Sequence, residues 1–252
     1  FISDTSCLIE LIHKIGLKKV INIIDGMYSF CVFDKNSGSI SICVDDFGIK
    51  QLYYSEIIDH LVIASTIKPL VKLRKNFNSP ITIDKITNIW QSSFQGLPPF
   101  HTHIKEIKQL NQNYIYKINL DNSLMTKEEK PKIPSKKSNN NFNKKLEEAA
   151  NADVNAALLL SAGVDSTALL CSSKSFKNSI KCITCEKPIL KDSGFYDNES
   201  EIAQINAEKL GFDIKTVKIN KIEKEELIDI FEIIDIPAEI TGAIPLYLLC
   251  KK

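Results

Sequence analysis

The sequence predicts two domains of different class: a mainly antiparallel β domain carrying helices, then an α/β domain with a doubly wound, mainly parallel sheet. Three observations lead there. Residues 121–141, DNSLMTKEEKPKIPSKKSNNN, are polar and lysine-rich with two prolines, and they form the one clear composition break. Before the break, short β-rich runs follow one another and a hairpin signal stands between two of them. After it, strands alternate with helical patterns, as in a parallel sheet. The expected limits are 1–120 for the first domain, 121–141 for a linker and 142–252 for the second. No internal repeat is evident on either side.

The elements follow in order. Asp4 or Thr5 is placed to cap a first helix that carries Leu8, Ile9, Leu11 and Ile12 and closes at Gly16. Tyr28–Phe33 and Ile40–Val44 read as strands around Asp34-Lys35-Asn36-Ser37-Gly38, a hairpin turn. Short strands are expected at Gln51–Tyr54, Leu61–Ala64 and Tyr114–Ile118. Past the break, the apolar run Ala156–Leu160 reads as a buried parallel strand and stops at the small polar loop Ser161–Ser166. Ala168–Cys171 then continues a helix. Ile180–Thr184 is a strand. Glu199–Leu210 is a helix with Asn198 as N-cap, Glu201 as its capping-box partner and Gly211 as C-cap. Phe212–Ile219 is a strand, and Lys221–Ile234 and Pro245–Lys252 are helical.

Bulk properties exclude several classes. With 44% hydrophobic and 25% charged residues, the 252-residue chain has the composition of a soluble globular protein. No apolar run approaches the roughly 18 residues that span a bilayer, and no signal peptide is visible. A net charge of +1 gives no general attraction to nucleic acid or anionic membrane. Arg74 is the only arginine. The seven cysteines are odd in number and sit mostly in apolar segments, which reads as buried free thiols in a reducing cytoplasm. Cys182-Ile183-Thr184-Cys185 has the spacing of a metal knuckle but lacks a second pair, and it falls in a strand-like run. His101 and His103 read as loop or strand residues. The chain opens on Phe1 and reads as an internal piece of a longer protein.

The chemistry concentrates at Ser161-Ala162-Gly163-Val164-Asp165-Ser166. A turn of small residues between a strand and a helix gathers free backbone N–H groups and the positive end of the helix dipole, which suits a phosphate. Ser161 and Ser166 can add hydroxyl donors, and Asp165 can hold a magnesium ion against the phosphates. The Gly-Lys-Ser/Thr ending of the usual mononucleotide loop is absent, so kinase and GTPase readings lose ground.

This loop resembles SGGxDS, the pyrophosphate loop of ATP pyrophosphatases. Residues 152–161, ADVNAALLLS, are similar to the ADVPVGVLLS that leads into it in glutamine-dependent asparagine synthetases. Other segments resemble the same family in its own order. Ser3-Asp4-Thr5 with Leu8, Ile9 and Gly16 is similar to the SDTEVLL…G of class II glutamine amidotransferases. Residues 25–30, DGMYSF, resemble GMFAF, and residues 45–54, DDFGIKQLYY, resemble RDRFGIKPLYY. Ile63-Ala64-Ser65 to Lys68-Pro69-Leu70 resembles FASEIKALL. Asn198-Glu199 with Ala203, Ala207 and Leu210-Gly211 resembles DExxxA…A…LG, and residues 244–249, IPLYLL, resemble AIPTYLL. Ala162 stands where the family has a first glycine, Asp45 is read at the arginine of RDxxG, and Gln51 replaces a proline.

The resemblance implies an α+β amidotransferase domain, an antiparallel β-sandwich flanked by helices, ahead of an α/β synthetase domain. It implies that Asp4 helps hold substrate glutamine. It places ATP and its pyrophosphate on Leu159, Ser161, Ala162, Gly163, Val164, Asp165, Ser166 and Thr184, with Mg2+ held by Asp165 through the pyrophosphate. Leu159 and Thr184 match the positions that contact adenine and ribose. Glutamine hydrolysis in the family uses an N-terminal cysteine whose α-amino group is the base. No residue here supplies that group, and Cys7 lies within a helix, so the piece alone is expected to be inactive as a glutaminase. The implied reaction makes asparagine from aspartate through β-aspartyl-AMP, releasing pyrophosphate and AMP. The implied partners are glutamine, aspartate and ATP, with no nucleic acid and no membrane. The cytoplasm is the implied location, and a homodimer is among the assemblies left open. Two alternatives stand beside this. One is a related amidotransferase acting on another acceptor carboxylate, since Glu239 and Ile240 fall where asparagine synthetases have an aspartate-containing loop. The other is an inactive homologue, which Ala162 and Asp45 favour.

Overall fold

A computed structural model describes residues 3–94, 96–121, 124–131, 142–150, 156–173, 180–186, 199–219, 222–234 and 240–251. The chain divides into two compact units, one on Phe1–Lys136 and one on Lys137–Ile234 with Glu239–Lys252.

In the first unit, helix α1 (Asp4–Ile15) opens behind Ser3 rather than behind Asp4 or Thr5. Ser3 has the extended backbone a cap requires, with φ −154° and ψ 164°. Its Oγ accepts the Ser6 N–H at 3.2 Å, while Ser6 Oγ accepts the Ser3 N–H at 3.0 Å. A serine at the third helical position thus closes the reciprocal pair usually made by Glu or Gln. Gly16, at φ 85°, ends α1, and the short α2 (Leu17–Ile21) starts directly after it.

Strands β1 (Ser29–Asp34) and β2 (Ser39–Val44) pair antiparallel across the expected hairpin. The Asp34 carboxylate accepts the Asn36 N–H at 2.9 Å and the Ser37 hydroxyl at 2.6 Å, so the turn is held by its own first residue. Next come β3 (Tyr53–Ile57), β4 (His60–Ala64), α3 (Ile67–Asn76), α4 (Lys85–Phe94), β5 (Lys108–Gln109), β6 (Tyr114–Asn119) and β7 (Met125–Glu129). Two antiparallel sheets result, ordered β1-β2-β6-β7 and β4-β3-β5. Ile42, Val44, Tyr116 and Ile118 of the first sheet form one apolar cluster with Leu52 and Leu110, and Tyr54, Leu61 and Ile63 of the second sheet pack against it.

Three of these elements depart from the sequence reading. β7 lies inside the stretch 121–141 that reads as a linker. Among the described residues it pairs only with β6, and Thr126, Lys127, Glu128 and Glu129 are all exposed. An edge strand with no buried face carries no hydrophobic alternation and is often charged, so composition alone hides it. The helices α3 and α4 fall in a region read only for strands. α3 nonetheless carries a stripe, Ile67, Leu70 and Arg74, that is fully turned inward.

Arg74 is 4% exposed. Its Nε donates to Pro80 O at 2.6 Å, and Nη1 donates to Ser55 Oγ and Glu56 O, each at 2.7 Å. Ser55 Oγ in turn donates to Glu106 O at 2.8 Å. The guanidinium therefore ties α3, the segment after it and β3 to one point, mostly through backbone carbonyls.

In the second unit, α5 (Phe142–Ala150), β8 (Ala156–Leu159), α6 (Val164–Ser172), β9 (Ile180–Glu186), α7 (Glu199–Leu210), β10 (Ile214–Lys218), α8 (Lys224–Ile233) and α9 (Ile240–Lys251) follow in order. The three strands are parallel in the order β10-β9-β8. Leu158, Cys182 and Ile214 stand in one row across them, packed with Leu170 of α6 and with Ala203 and Ala207 of α7. Alanines at those two α7 positions let the helix approach the sheet closely. The α7 limits agree with the sequence reading, while its expected cap, Asn198, lies outside the described residues. α8 starts later than read, behind Glu223, whose side chain and that of Glu226 form a capping box. α9 starts earlier, so Pro245 is inside the helix and not at its first turn.

All seven cysteines are free, but only Cys43 and Cys182 are buried, while Cys31, Cys171 and Cys250 are exposed. The expectation of buried thiols fails for those three because an apolar run also has an outward face. Among the described residues, no helix is long and apolar enough to cross a membrane.

Replacing Arg74 with alanine leaves the carbonyls of Pro80 and Glu56 without their donor. Arg74→Ala is expected to lower stability by about 2–3 kcal/mol in urea unfolding. A loss under about 0.5 kcal/mol would show that the buried guanidinium does not hold this corner together.

Candidate functional site

Strand β8 ends against β9 with Leu160 N–H donating to Ile183 O at 2.9 Å, and there the chain turns away. Two serine hydroxyls close the turn. The Ser161 N–H donates to Ser166 Oγ at 3.2 Å, and the two hydroxyl oxygens lie 3.0 Å apart. Ser166 Oγ is also within 3.1 Å of Ser161 O and 3.2 Å of Gly163 O, while Gly163 N–H donates to Ser161 Oγ at 3.1 Å. Both hydroxyls, expected to face a phosphate as spare donors, are engaged inside the loop. The donors left over are backbone ones. α6 begins behind Gly163, at φ −68° and ψ 153°, and no side chain among the described residues caps it. Its first N–H groups, on Val164, Asp165 and Ser166, are thus presented at the positive end of the helix dipole. Asp165 is exposed in that first turn, and Val164 is 83% exposed.

The alanine in place of a glycine is tolerated by this geometry. Ala162 is not at positive φ, and among the described residues the non-glycines at positive φ are Ile58, Asn78 and Phe100. The retained glycine is the one under constraint: a Cβ on Gly163 would meet Ser161 Oγ at 3.1 Å, the atom that accepts its own N–H.

Beside the turn lies a cleft of ≈ 220 Å³. Of the expected residues, Leu159, Ser161 and Thr184 line it, together with Ile183, Cys185 and Pro245. Ala162, Gly163, Val164, Asp165 and Ser166 continue the turn from Ser161 and are not in the cleft wall. Glu199 and Gly242 complete part of the wall, and the sequence reading gave neither a role. Glu199 had a signal only in the segment of resemblance Asn198-Glu199, and Gly242 had none, lying just before the segment 244–249. Glu239 lies outside the described residues, and Ile240 opens α9.

In the first unit, Asp4 occupies the first position of α1, is exposed, and accepts the Thr5 N–H at 2.7 Å. Ser3 does the capping, so Asp4 is not needed for it. Asp45 requires a correction. Its carboxylate is buried at 1% exposure and accepts the N–H groups of Phe47 at 3.2 Å, Ile49 at 2.9 Å and Lys50 at 2.8 Å. Gly48 takes φ 64° within that turn. Asp45-Asp46-Phe47-Gly48 is itself D-x-x-G, so the aspartate is in place and Val44 stands at the arginine. Burial opposes ionisation of Asp45, but the amides of Lys50, Ile49 and Phe47 outweigh it and hold the carboxyl below its ordinary value. Nearby, Lys130 Nζ donates to Val44 O and to Asp46 Oδ1, with the Tyr28 ring 5.6 Å away.

The chain is thus a two-sheet antiparallel unit followed by a parallel α/β unit whose first strand runs through a small-residue turn into a helix. Comparison with known proteins gives the family. The model of the glutamine amidotransferase domain matches residues 2–128, and that of asparagine synthase matches residues 139–252. Asparagine synthetase [glutamine-hydrolyzing] 1 of Bacillus subtilis is 27% identical over 99% of this chain and 40% of its own length. Asparagine synthetase [glutamine-hydrolyzing] 2 of the same organism is 40% identical over 27% of this chain and 9% of its own length. The chain therefore spans less than half the length of these curated relatives. Among solved structures, the glutamine phosphoribosylpyrophosphate amidotransferase of B. subtilis covers 89% of this chain and 41% of its own at 13% identity, with a TM-score of 0.34, too low to bear on the fold. The chain belongs to the glutamine-hydrolysing asparagine synthetase family.

Asp45→Asn puts an amide NH₂ against backbone donors. At neutral pH it is expected to cost about 1–3 kcal/mol of stability. A carboxyl whose folded pKa is depressed stabilises the fold above its unfolded value, near 3.9, and loses that contribution as pH falls through the folded value. Urea unfolding should show the gap between wild type and variant full at neutral pH and closing on acidification. A gap independent of pH would mean that shape, not charge, holds the turn.

Proposed function

We propose that this chain is part of an enzyme that makes L-asparagine from L-aspartate, with glutamine as nitrogen donor and ATP as the activating substrate. The observation that carries the reading is the uncapped first turn of α6 beside an apolar cleft, in a chain of this family. The first unit serves as an amidotransferase sandwich that releases ammonia from glutamine. The second serves as a doubly wound synthetase domain in which aspartate becomes β-aspartyl-AMP, and ammonia then displaces AMP.

The residues fit these roles chemically. Leu159 and Thr184 give the cleft an apolar wall and one hydroxyl against a nucleoside. The N–H groups of Val164, Asp165 and Ser166 stabilise charge that develops on the departing pyrophosphate, without reorganising to do so. The exposed Asp165 carboxylate is an oxygen donor of the kind Mg2+ takes, and the metal when bound neutralises phosphate charge. Asp4, exposed and not needed as the cap, offers its carboxylate to the α-ammonium group of glutamine beside the Thr5 N–H it already accepts.

Product analysis with glutamine, ATP, Mg2+ and aspartate tests the reading in the enzyme of which this chain is part. Asparagine, AMP and pyrophosphate are the expected products. Product formed only with a different acceptor carboxylate would move the activity to that acceptor, and no pyrophosphate with any acceptor would leave an inactive homologue. In the same assay, Asp165→Asn is expected to abolish pyrophosphate release and to leave glutamine hydrolysis measurable. Pyrophosphate release near the wild-type rate would remove Asp165 from the site.

Asp4→Ala is expected to raise KM for glutamine about tenfold or more, the scale of one charge-assisted contact. Synthesis driven by free ammonia should be unchanged. Equal losses with both nitrogen sources would make Asp4 a structural residue.

A further inference from the structure

The first unit contains a second cleft, of ≈ 300 Å³, that the proposed reaction does not use. Its wall has an unusual order. Tyr54 of β3 stands opposite Lys108 of β5 in one sheet, and Tyr116 of β6 stands opposite Lys127 of β7 in the other. All four residues line the cleft, so each sheet contributes one tyrosine–lysine pair to the same space. Lys105 adds a third ammonium group.

These groups are donors without matching acceptors. Tyr116 is 6% exposed, and its oxygen accepts the Asn111 N–H at 2.9 Å, which leaves its own O–H with no acceptor among the described residues. Tyr54 is half-buried, and its hydroxyl makes no hydrogen bond among the described residues. Burial, the other phenol at Tyr116 and the carboxylate of Glu56 raise the Tyr54 pKa, and burial raises that of Tyr116, so both stay protonated as donors at neutral pH. The ammonium of Lys127 lies 4.6 Å from the Tyr114 ring centroid, and among the described residues neither Lys105 nor Lys108 is at ion-pair distance from a carboxylate, although Lys105 is near enough to Asp84 to help lower its pKa. His101 also lines the cleft, with Nδ1 2.8 Å from Pro99 O. The one carboxylate in the wall, Asp84, is turned to the start of α4, where it accepts the Ile86 and Thr87 N–H groups at 3.0 and 3.2 Å.

We propose that this cleft binds a small polyanion of the phosphate class, gripped from both sheets by the Tyr54–Lys108 and Tyr116–Lys127 pairs. Two phenol O–H groups and three ammonium groups offer more donors than the roughly four lone-pair sites of a single carboxylate can take. A phosphate group, with its three strong acceptor oxygens and higher charge, matches the set. The site is separate from the Ser161–Ser166 turn and stands whether or not that turn binds ATP.

The test uses inorganic phosphate as the probe and hydrogen exchange, read peptide by peptide, as the locator. Phosphate is expected to protect residues 102–117 at low ionic strength, with protection weakening as sodium chloride is added. Lys108→Gln changes an exposed side chain, and Tyr54→Phe removes a hydroxyl with no partner to lose. Each should weaken the protection of 102–117 about tenfold in phosphate concentration, while any protection at 158–172 stays. Lys108→Arg should keep it. No protection of 102–117 in the wild type, or protection that survives both Lys108→Gln and Tyr54→Phe, overturns the proposal. Protection by a dicarboxylate such as aspartate but not by phosphate would overturn the ligand class.

Discussion

The hydrogen bonds between Ser161 and Ser166 set the terms for the candidate site. A helix start normally recruits a side chain to satisfy its first N–H groups, and the two serines next to α6 are the natural recruits. Here each is engaged elsewhere: Ser166 Oγ reaches back to Ser161, and Ser161 Oγ takes the Gly163 N–H. The loop is closed by its own hydroxyls, and the helix end stays open. The result is a turn held by internal hydrogen bonds whose helix N–H groups need no cap broken to be reached. Donors already in place are what electrostatic stabilisation needs, because donors that must reorient give back much of what they contribute.

The first unit meets a related problem with buried charge. Arg74, Asp45 and Lys130 are all at least nine-tenths buried; Arg74 and Asp45 find most of their partners on the backbone, and Lys130 divides between the Val44 carbonyl and the Asp46 carboxylate. A charge held by main-chain atoms fixes the path of the chain itself, whereas one held by another side chain fixes only two rotamers. Arg74 anchors α3 to β3 and to Pro80. Asp45 shapes the turn from Phe47 to Lys50. Lys130 ties the end of β7 to the end of β2 through Val44 O. Leaving any of these charges without partners would cost several kcal/mol, so the surrounding loops have little freedom to drift.

How much was legible in the sequence follows from where each signal resides. Strands with buried apolar residues, such as β2 and β6, announce themselves by those residues, and α7 is bounded by its own periodicity and Gly211. The strand–turn–helix at Ala156–Cys171 was legible from its apolar run, but the expectation of a buried strand fails for β8, which ends the described sheet and leaves Ala157 and Leu159 exposed. β7 was not, because an exposed edge strand has no apolar face to show. Asp4 and Ser3 are both good caps by composition, and only the backbone angles at Ser3 decide between them. The hydroxyl pair was invisible too, since sequence gives the donors at Ser161 and Ser166 but not that they face each other. The cleft wall from Glu199, Gly242 and Pro245 comes from segments distant in sequence, which no local pattern can bring together.

The reading of this chain as an inactive homologue rested on Ala162 and Asp45, and both observations change meaning in the structure. A missing glycine matters only where the backbone needs a conformation that a Cβ forbids or where a Cβ would collide. Ala162 is not at positive φ, and the collision would occur one residue later, at Gly163, which is retained. Asp45 is the aspartate of its motif and holds the turn by three amide contacts. The substitution in that motif is Val44, a buried strand residue packed in the apolar cluster. A valine there exchanges a long cation for core packing, and Lys130 places an ammonium group on the Val44 carbonyl and the Asp46 carboxylate. Val44 therefore remains a departure from the family motif, with its side chain in the apolar cluster, whereas the missing glycine at Ala162 costs no backbone conformation that the loop adopts.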